Sequence, residues 1–574
     1  MMKTSMRILW LQIAFLTLAP IAIGHDSGDP VFEAMELELD RSMDQLVLGG
    51  MSQPYFLGYR IQDSQMVMVE ARYGALVQAE SNRNRYLYID LKVGAPNFDN
   101  SGFIGNWSDV YNMREELPVE DDIRSLRHHI WLHTDHAYKT ALENMARKQA
   151  YLQTHPAKEE IPDFAAANGF VHMDEPVGLD VDLGLCESRV RAAAQALREF
   201  PGLQDWNVRY THGAANNRYL NSEGICYLKG IQFQYLLVAA TAQAPDGQRL
   251  SHFLQYALSS DDELPAQEVL IEDIRTMAGE LQAMIAAPTL DEYAGPVLFD
   301  GFAAAQLLSQ LFVNQLSPAR EPLVAEDWMK QYLPDPKLTG RLNRRVLADF
   351  VVITDEPSLK KWEGRSCAGH QKVDDEGVRC QDITLVKGGR LLALPMTRRP
   401  SKKLKESNGH ARMLPNQMIV PGITNLVLRG EQTKKDLRNE LRRLCKEFGN
   451  EYGLLITRLE DPEVTQRYRR IEPGREEQDL LTAPVVMYRI YAEDGRMEPV
   501  RGLGFDEASV RALRDVAAVG QDAKGTNLRQ PSGFRGLSYP ATIITPSILI
   551  EEMEFTDAIV REPLPLSGIP IIEQ

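Results

Sequence analysis

The sequence predicts an α+β fold in two parts, an N-terminal domain of helices on an antiparallel sheet and a strand-rich C-terminal domain. Three observations predict it. In the first half, helical periodicity gives way to strand periodicity twice, at residues 31–46 and again at 187–199, each time followed by a run of short apolar-alternating segments. The second half carries two hairpin signals, Gly388-Gly389 and Asp494-Gly495, each between apolar runs rich in β-formers. Finally, 574 residues at 44% hydrophobic and 25% charged make an ordinary globular composition at a length that exceeds a single core.

The elements follow in order. Lys3 and Arg7 precede an apolar run, 8–23, with the small residues Ala22 and Gly24 before His25, which is the pattern of a signal peptide over residues 1–24. Gln12 and Pro20 break that run, so an exported chain, periplasmic or secreted, is expected rather than stable membrane insertion; retention of the segment as an anchor is the alternative. The N-terminal domain is expected over 30–290, with helices at 31–46, 123–153, 187–199 and 264–286. Its strands are expected at 55–61, 66–73, 75–80, 86–93, 206–211, 218–221, 231–242 and 253–257, with Asn221-Ser222-Glu223-Gly224 as a hairpin turn. Residues 288–296 read as the boundary. The C-terminal domain is expected over 291–560, with a strand at 346–354, hairpins at 382–386/391–396 and 485–491/497–501, a helix at 434–448 and a final strand region at 542–555. The proline-containing tail, 561–574, is expected to be exposed.

A formal net charge of −17 argues against a nucleic-acid partner, because such affinity rests on clustered Lys and Arg. Five cysteines, an odd and scattered set, exclude a disulfide-stapled scaffold. Cys367 and Cys380, flanking a glycine-containing turn, are the pair best placed for a disulfide if the compartment is oxidising; free thiols are the alternative.

The segment from 373 to 428 is built differently from an ordinary core. It contains Asp374-Asp375-Glu376-Gly377-Val378, the Gly388-Gly389-Arg390 turn, Ser407-Asn408-Gly409-His410-Ala411-Arg412 and Pro421-Gly422-Ile423-Thr424-Asn425, a polar loop region held between strand-like runs. These ordered motifs resemble the TldD/TldE family, also called PmbA or modulator of DNA gyrase, whose members carry a DDEGV-like turn, an NG-x-x-R loop and a P-x-x-TN segment. The resemblance implies a cavity loop for binding made of Asp374, Asp375, Glu376, Asn408, His410 and Arg412. It also implies dimers, a homodimer or a heterodimer with a TldD-like subunit, and unstructured peptides bound as an added strand.

Catalytic members of that family hold zinc through H-E-x-x-x-H on a helix plus a distant Cys, the Glu acting as base for the bound water. Aligning Ala303-Ala304-Ala305-Gln306-Leu307-Leu308 with the family's A-A-x-x-L-L places Ser309, Gln310 and Asn314 at the His, Glu and His positions. No His or Glu occurs between Phe302 and Arg320, and the last cysteine, Cys445, precedes the segment 530–536 where the family's Cys is expected. The resemblance therefore implies a member without zinc or another cofactor, of the TldE type, with no catalytic residue assignable. Cys367, His370, Cys380 and His410 have the residue types of a metal site without an established spacing, and a Cys367/His370 nucleophile pair lacks a third, orienting group. His129, His133 and His136 share a helix face, and Lys402, Lys403 and Lys405 make a short basic run; both read as solvated surface. The expectation is an exported metallopeptidase homologue acting in peptide binding or in proteolysis with a partner. An active zinc peptidase with a non-standard site, and a non-catalytic envelope scaffold, remain the alternatives.

Overall fold

In the computed structural model, the described residues are 28–106, 114–156, 160–259, 263–316, 320, 323–333, 338–416, 418–461, 481–506, 508–532 and 537–565. The expected signal segment lies outside them. The chain is mixed α+β. One sheet of eight strands is drawn from residues before 260, and sheets of seven and six strands are drawn from residues after 290. No helix among the described residues is long and apolar enough to cross a membrane.

The first sheet is built on four long strands, Pro54–Arg72, Ala75–Ala95, Leu203–Asn221 and Cys226–Gln243, paired antiparallel. The sequence reading cut three of these in two. Polar runs such as Gln62–Gln65 and Asn82–Asn84 look like turn signals, yet Gln62 to Gln65 pair in register with Tyr86 to Arg83, so they are strand residues with polar side chains. On one face of this sheet, α1 (Pro30–Gln45) and α2 (Ile123–Thr154) cover Leu57, Tyr59 and Ile61. Further along the same face, α3 (Leu183–Ala196) and α4 (Gln267–Ala286) cover Val67, Val69 and Ala71. The residues between 57 and 71 alternate faces without a bulge until Glu70, so both helix pairs lie on one side.

The strand Glu292–Phe299 overlaps the expected boundary, 288–296: Glu292 to Gly295 and Val297 to Phe299 pair with the strand Ile548–Asp557. It leads into α5 (Gly301–Leu307), whose residues enter the largest apolar core with Leu385, Ile423, Leu454 and Ile543. The Gly388-Gly389 hairpin is shorter than expected, with only Arg390–Leu391 as its second strand. Asn408 is the reason: its side-chain oxygen accepts from Met396 N at 2.7 Å and its amide donates to Leu394 O at 2.9 Å, replacing a ladder with side-chain bonds. The final strand region is two strands, Ser538–Thr545 and Ile548–Asp557, broken at Pro546. α6 (Leu437–Phe448) starts on the Asp436 cap and stops at Gly449 in the left-handed region. All five thiols are free, and the proposed Cys367–Cys380 bridge is absent; Cys367 packs instead on Val427 and Ile544. The start of the tail is exposed, although Glu562 N donates to Gly247 O at 2.9 Å.

Candidate functional site

After Leu307 the helix widens into one π turn, Leu308–Phe312, in which Val313 N donates to Leu308 O, five residues back. An α-helix sets residues five apart on different sides; a π turn brings them toward one side. Ser309 and Asn314 consequently meet the same partner, Gln530, at the end of the strand Lys524–Pro531. Ser309 Oγ donates to Gln530 Oε1 at 2.8 Å, and Gln530 Nε2 donates to Asn314 Oδ1 at 3.0 Å. Gln530 is 0% exposed and Ser309 4%, whereas Asn314 is half-buried, so the Ser309–Gln530 bond is kept from bulk water. Gln310 faces away from it: its Oε1 accepts from Thr482 N at 2.9 Å, and its Nε2 donates to Thr482 Oγ1 at 3.0 Å.

These side chains do not fit zinc. Zinc takes thiolate, imidazole or carboxylate, whereas this position offers one hydroxyl and two amides that already satisfy one another. Among the described residues, no three His, Cys, Asp or Glu side chains converge as a metal cage. Beside Asn314 lies a cavity of about 20 Å³, bounded by Pro395, Gly422, Ile423 and Tyr539, room for about one water. Gly533 to Gly536 lie outside the described residues.

The acidic turn, residues 374–378, sits on the opposite face of the first sheet, the face away from the helices. Asp374 Oδ1 accepts from the amides of Glu376 (2.9 Å) and Val378 (2.8 Å), and Oδ2 accepts from Ala411 N at 3.0 Å. Burial raises the Asp374 carboxyl to about 6, against the pull of those amides. Asp375 is gripped by two sheet cations: Lys229 Nζ on Oδ1, and the Arg60 guanidinium on the backbone carbonyl. Its Oδ2 accepts from Met413 N at 2.8 Å. Burial alone would raise its carboxyl, but Lys229 and Arg60 outweigh it and hold it down to about 2. Glu376 Oε2 accepts from Arg398 N at 2.6 Å; burial and the Asp374 charge push its carboxyl up to about 7. The Arg398 guanidinium, 1% exposed, pairs with Glu223 and lies 3.9 Å from the Phe164 ring centroid. Gly377 (φ +79°) is required here, since a Cβ would stand 2.3 Å from Ile225 Cγ2.

The structure thus brings Asp374 and Asp375 to the Ala411–Met413 strand and Glu376 to Arg398 N, while His410 and Arg412 are buried. His410 is fully buried: Nδ1 is 3.0 Å from Asn408 O, and Nε2 is 3.3 Å from Asp355 Oδ2, off the line of a good hydrogen bond. Arg412 donates to Gln371 Oε1 at 2.7 Å and to Ile423 O at 3.3 Å, and its guanidinium lies 5.7 Å from the Tyr539 ring centroid. Gly409 (φ +77°) lets the loop pass 2.5 Å, measured from a hypothetical Cβ, from Arg379 O. Asp355, which takes Thr424 N and Oγ1, was not foreseen; neither were Arg60, Lys229 and Thr482. The one available signal was a cation in each of two apolar-alternating strands, at Arg60 and Lys229.

The other constellations disperse. His370 Nδ1 is bonded to Pro357 O at 2.9 Å and Cys367 is packed elsewhere, so neither the four-residue metal set nor the nucleophile pair forms. His129 is bonded to Ser125 O, His133 faces Glu115, and Lys402, Lys403 and Lys405 are exposed.

The PmbA/TldA metallopeptidase C-terminal domain family matches residues 292–557. Among solved structures, a protein described as a modulator of a DNA gyrase from Thermotoga maritima superposes with a TM-score of 0.58 at 17% identity, covering 91% of this chain and 99% of that one. TldE from Thermococcus kodakarensis does so with a TM-score of 0.58 at 13% identity, covering 91% and 100%. A further protein described as a DNA gyrase modulator, from Bacteroides thetaiotaomicron, gives 0.56 at 13% identity over 92% and 98%. These likenesses establish a shared fold. No curated protein matches the chain.

Proposed function

From the premise that this chain belongs to the TldD/TldE (PmbA) family, we propose that it is an exported, metal-free member of the TldE type, acting in peptide binding or in proteolysis beside a catalytic subunit. One observation carries the reading: Gln530 bridges Ser309 and Asn314 where the family's catalytic members place their zinc ligands, and Gln310 is spent on Thr482. Three consequences follow for chemistry. Among the described residues no ligand set polarises a water, no carboxylate stands at the base position, and the side chains there are joined by neutral hydrogen bonds. The chain's own residues hold a frame: Asp374 and Asp375 fix the Ala411–Met413 strand, and Lys229 and Arg60 lock that strand's turn to the first sheet.

Metal analysis of the purified chain, paired with cleavage of an unfolded peptide with and without chelator, tests this. The expected result is substoichiometric zinc and no chelator-sensitive cleavage by the chain alone. One zinc per chain with chelator-sensitive cleavage overturns the reading in favour of a non-standard active site. Cleavage that appears only on adding a zinc-bearing TldD-type subunit supports the pairing.

A further inference from the structure

Between its two helix-covered ends, the first sheet leaves a polar cleft of about 200 Å³ on the helix side. Asp63, Arg85, Asn216 and Arg218 line it from three neighbouring strands, and the loop at Val177-Gly178 forms a wall; none of the lining residues belongs to a helix. The wall is built. Asn216 accepts from Val177 N at 2.8 Å and donates to Val177 O at 2.7 Å, and Gln65 accepts from Leu179 N at 3.1 Å.

α1 and α2 run parallel, and both begin at this cleft. Asp29, the α1 cap, pairs with Arg218, and Asp121, just before the α2 cap, pairs with Arg85. Two helix N-termini and three guanidinium groups therefore surround one cavity, with Asp63 and Asp121 among the lining side chains, and Asp29 beside Arg218, opposing them. Arg85 is satisfied by Asp63, Asp121 and two carbonyls. Arg218 is not: it is 9% exposed, its Nε donates to Asp29 at 2.6 Å, and its Nη1 is buried without a partner. A buried donor left unmade is costly, and Arg218 is one of the residues that line the cleft.

We propose that this cleft binds a small carboxylate monoanion through Arg218, with Arg83 and Arg85 supporting its charge. A monoanion is favoured over phosphate because Asp29, Asp63 and Asp121 already offset the cationic charge of Arg83, Arg85 and Arg218, so a second negative charge meets repulsion. The carboxylate comes from a free acid or from the C-terminus of a short peptide. The site is remote in sequence and separate in structure from the Ser309–Gln530 network, so its failure leaves the preceding reading untouched.

Calorimetric titration of the full chain with N-acetylalanine, trialanine, trialanine amide and inorganic phosphate tests it. Saturable binding of either free carboxylate, with trialanine amide silent, supports the site, and the tighter of the two acids identifies the source. Arg218→Met is expected to weaken binding roughly tenfold or more. Ala214→Leu fills the cleft while keeping every charge, and should abolish binding with the circular dichroism unchanged, which guards against Arg218→Met merely loosening α1. No saturable carboxylate binding, equal binding of the amide, preferential binding of phosphate, or binding that survives either substitution overturns the proposal.

Discussion

The acidic turn and the helix after Gly301 are both buried polar regions of the family-matched domain and its contacts, yet they are satisfied in opposite ways. At the turn, charges are kept and each is answered: Asp375 by Lys229 and Arg60, Asp374 by three amides, Glu376 by an amide with Arg398 nearby. At the helix, Ser309, Asn314 and Gln530 are neutral and answer one another. A buried charge without a partner is expensive, and imidazoles and a carboxylate at the helix would lack one unless a metal supplied it. The frame of this site and its chemistry are therefore separable: the turn holds two parts of the chain together whether or not the helix carries a metal.

The largest way to break that contrast is Asp375→Asn. It leaves Lys229 and Arg60, each under a tenth exposed, facing a neutral amide across the junction between the first sheet and the 411–413 strand. A loss of about 3 kcal/mol in urea unfolding is expected. A loss below about 1 kcal/mol would mean that water or another anion replaces the carboxylate, and the turn would not be the lock described above.

At the helix the expected effects are smaller because no charge is stranded. Gln530→Ala removes the common partner of Ser309 and Asn314 and opens a cavity, for a cost of about 2–3 kcal/mol. Ser309→Ala, which removes one hydroxyl, costs about 1 kcal/mol. Equal effects of the two, measured by chemical denaturation, would show that the network does not centre on Gln530.

Much of this was legible in the sequence, and the boundaries of legibility are physical. Helix positions followed from apolar spacing and caps, so 123–153 and 434–448 came close to α2 and α6. Ser309, Gln310 and Asn314 stood out in the sequence because they are chemically unlike the His and Glu that the family resemblance puts at those positions. What could not be read was where those side chains point, since the π turn that unites Ser309 with Asn314 leaves no composition signal, and Gln530 is more than two hundred residues away. Polar strand centres such as residues 62–65 imitate turns for a related reason: Asp63 and Gln65 serve a cleft lying between two helix pairs, and local patterning carries no trace of that gap. Likewise the burial of His410 and Arg412 could not be read from a polar loop, since loops usually run over the surface.

The smallest effect sharpens the comparison within the turn itself. Glu376 is raised to about 7 and Asp374 to about 6, whereas Asp375 is held down to about 2. The signs differ accordingly. Asp375 ionises more readily when folded, so its contribution is present above the ordinary Asp range and is lost as pH falls from about 4 through about 2. Glu376 holds its proton more tightly when folded, so its contribution is present in mild acid and is lost as pH rises from about 4.5 through about 7. Glu376→Gln keeps an oxygen to accept from Arg398 N but cannot ionise, so the decline in stability between pH 5 and pH 8 should flatten by on the order of 1 kcal/mol. Melting temperatures taken across that range, wild type against Glu376→Gln, check it. An unchanged slope would assign the neutral-pH titration to another group and leave Glu376 as a permanently charged partner of Arg398.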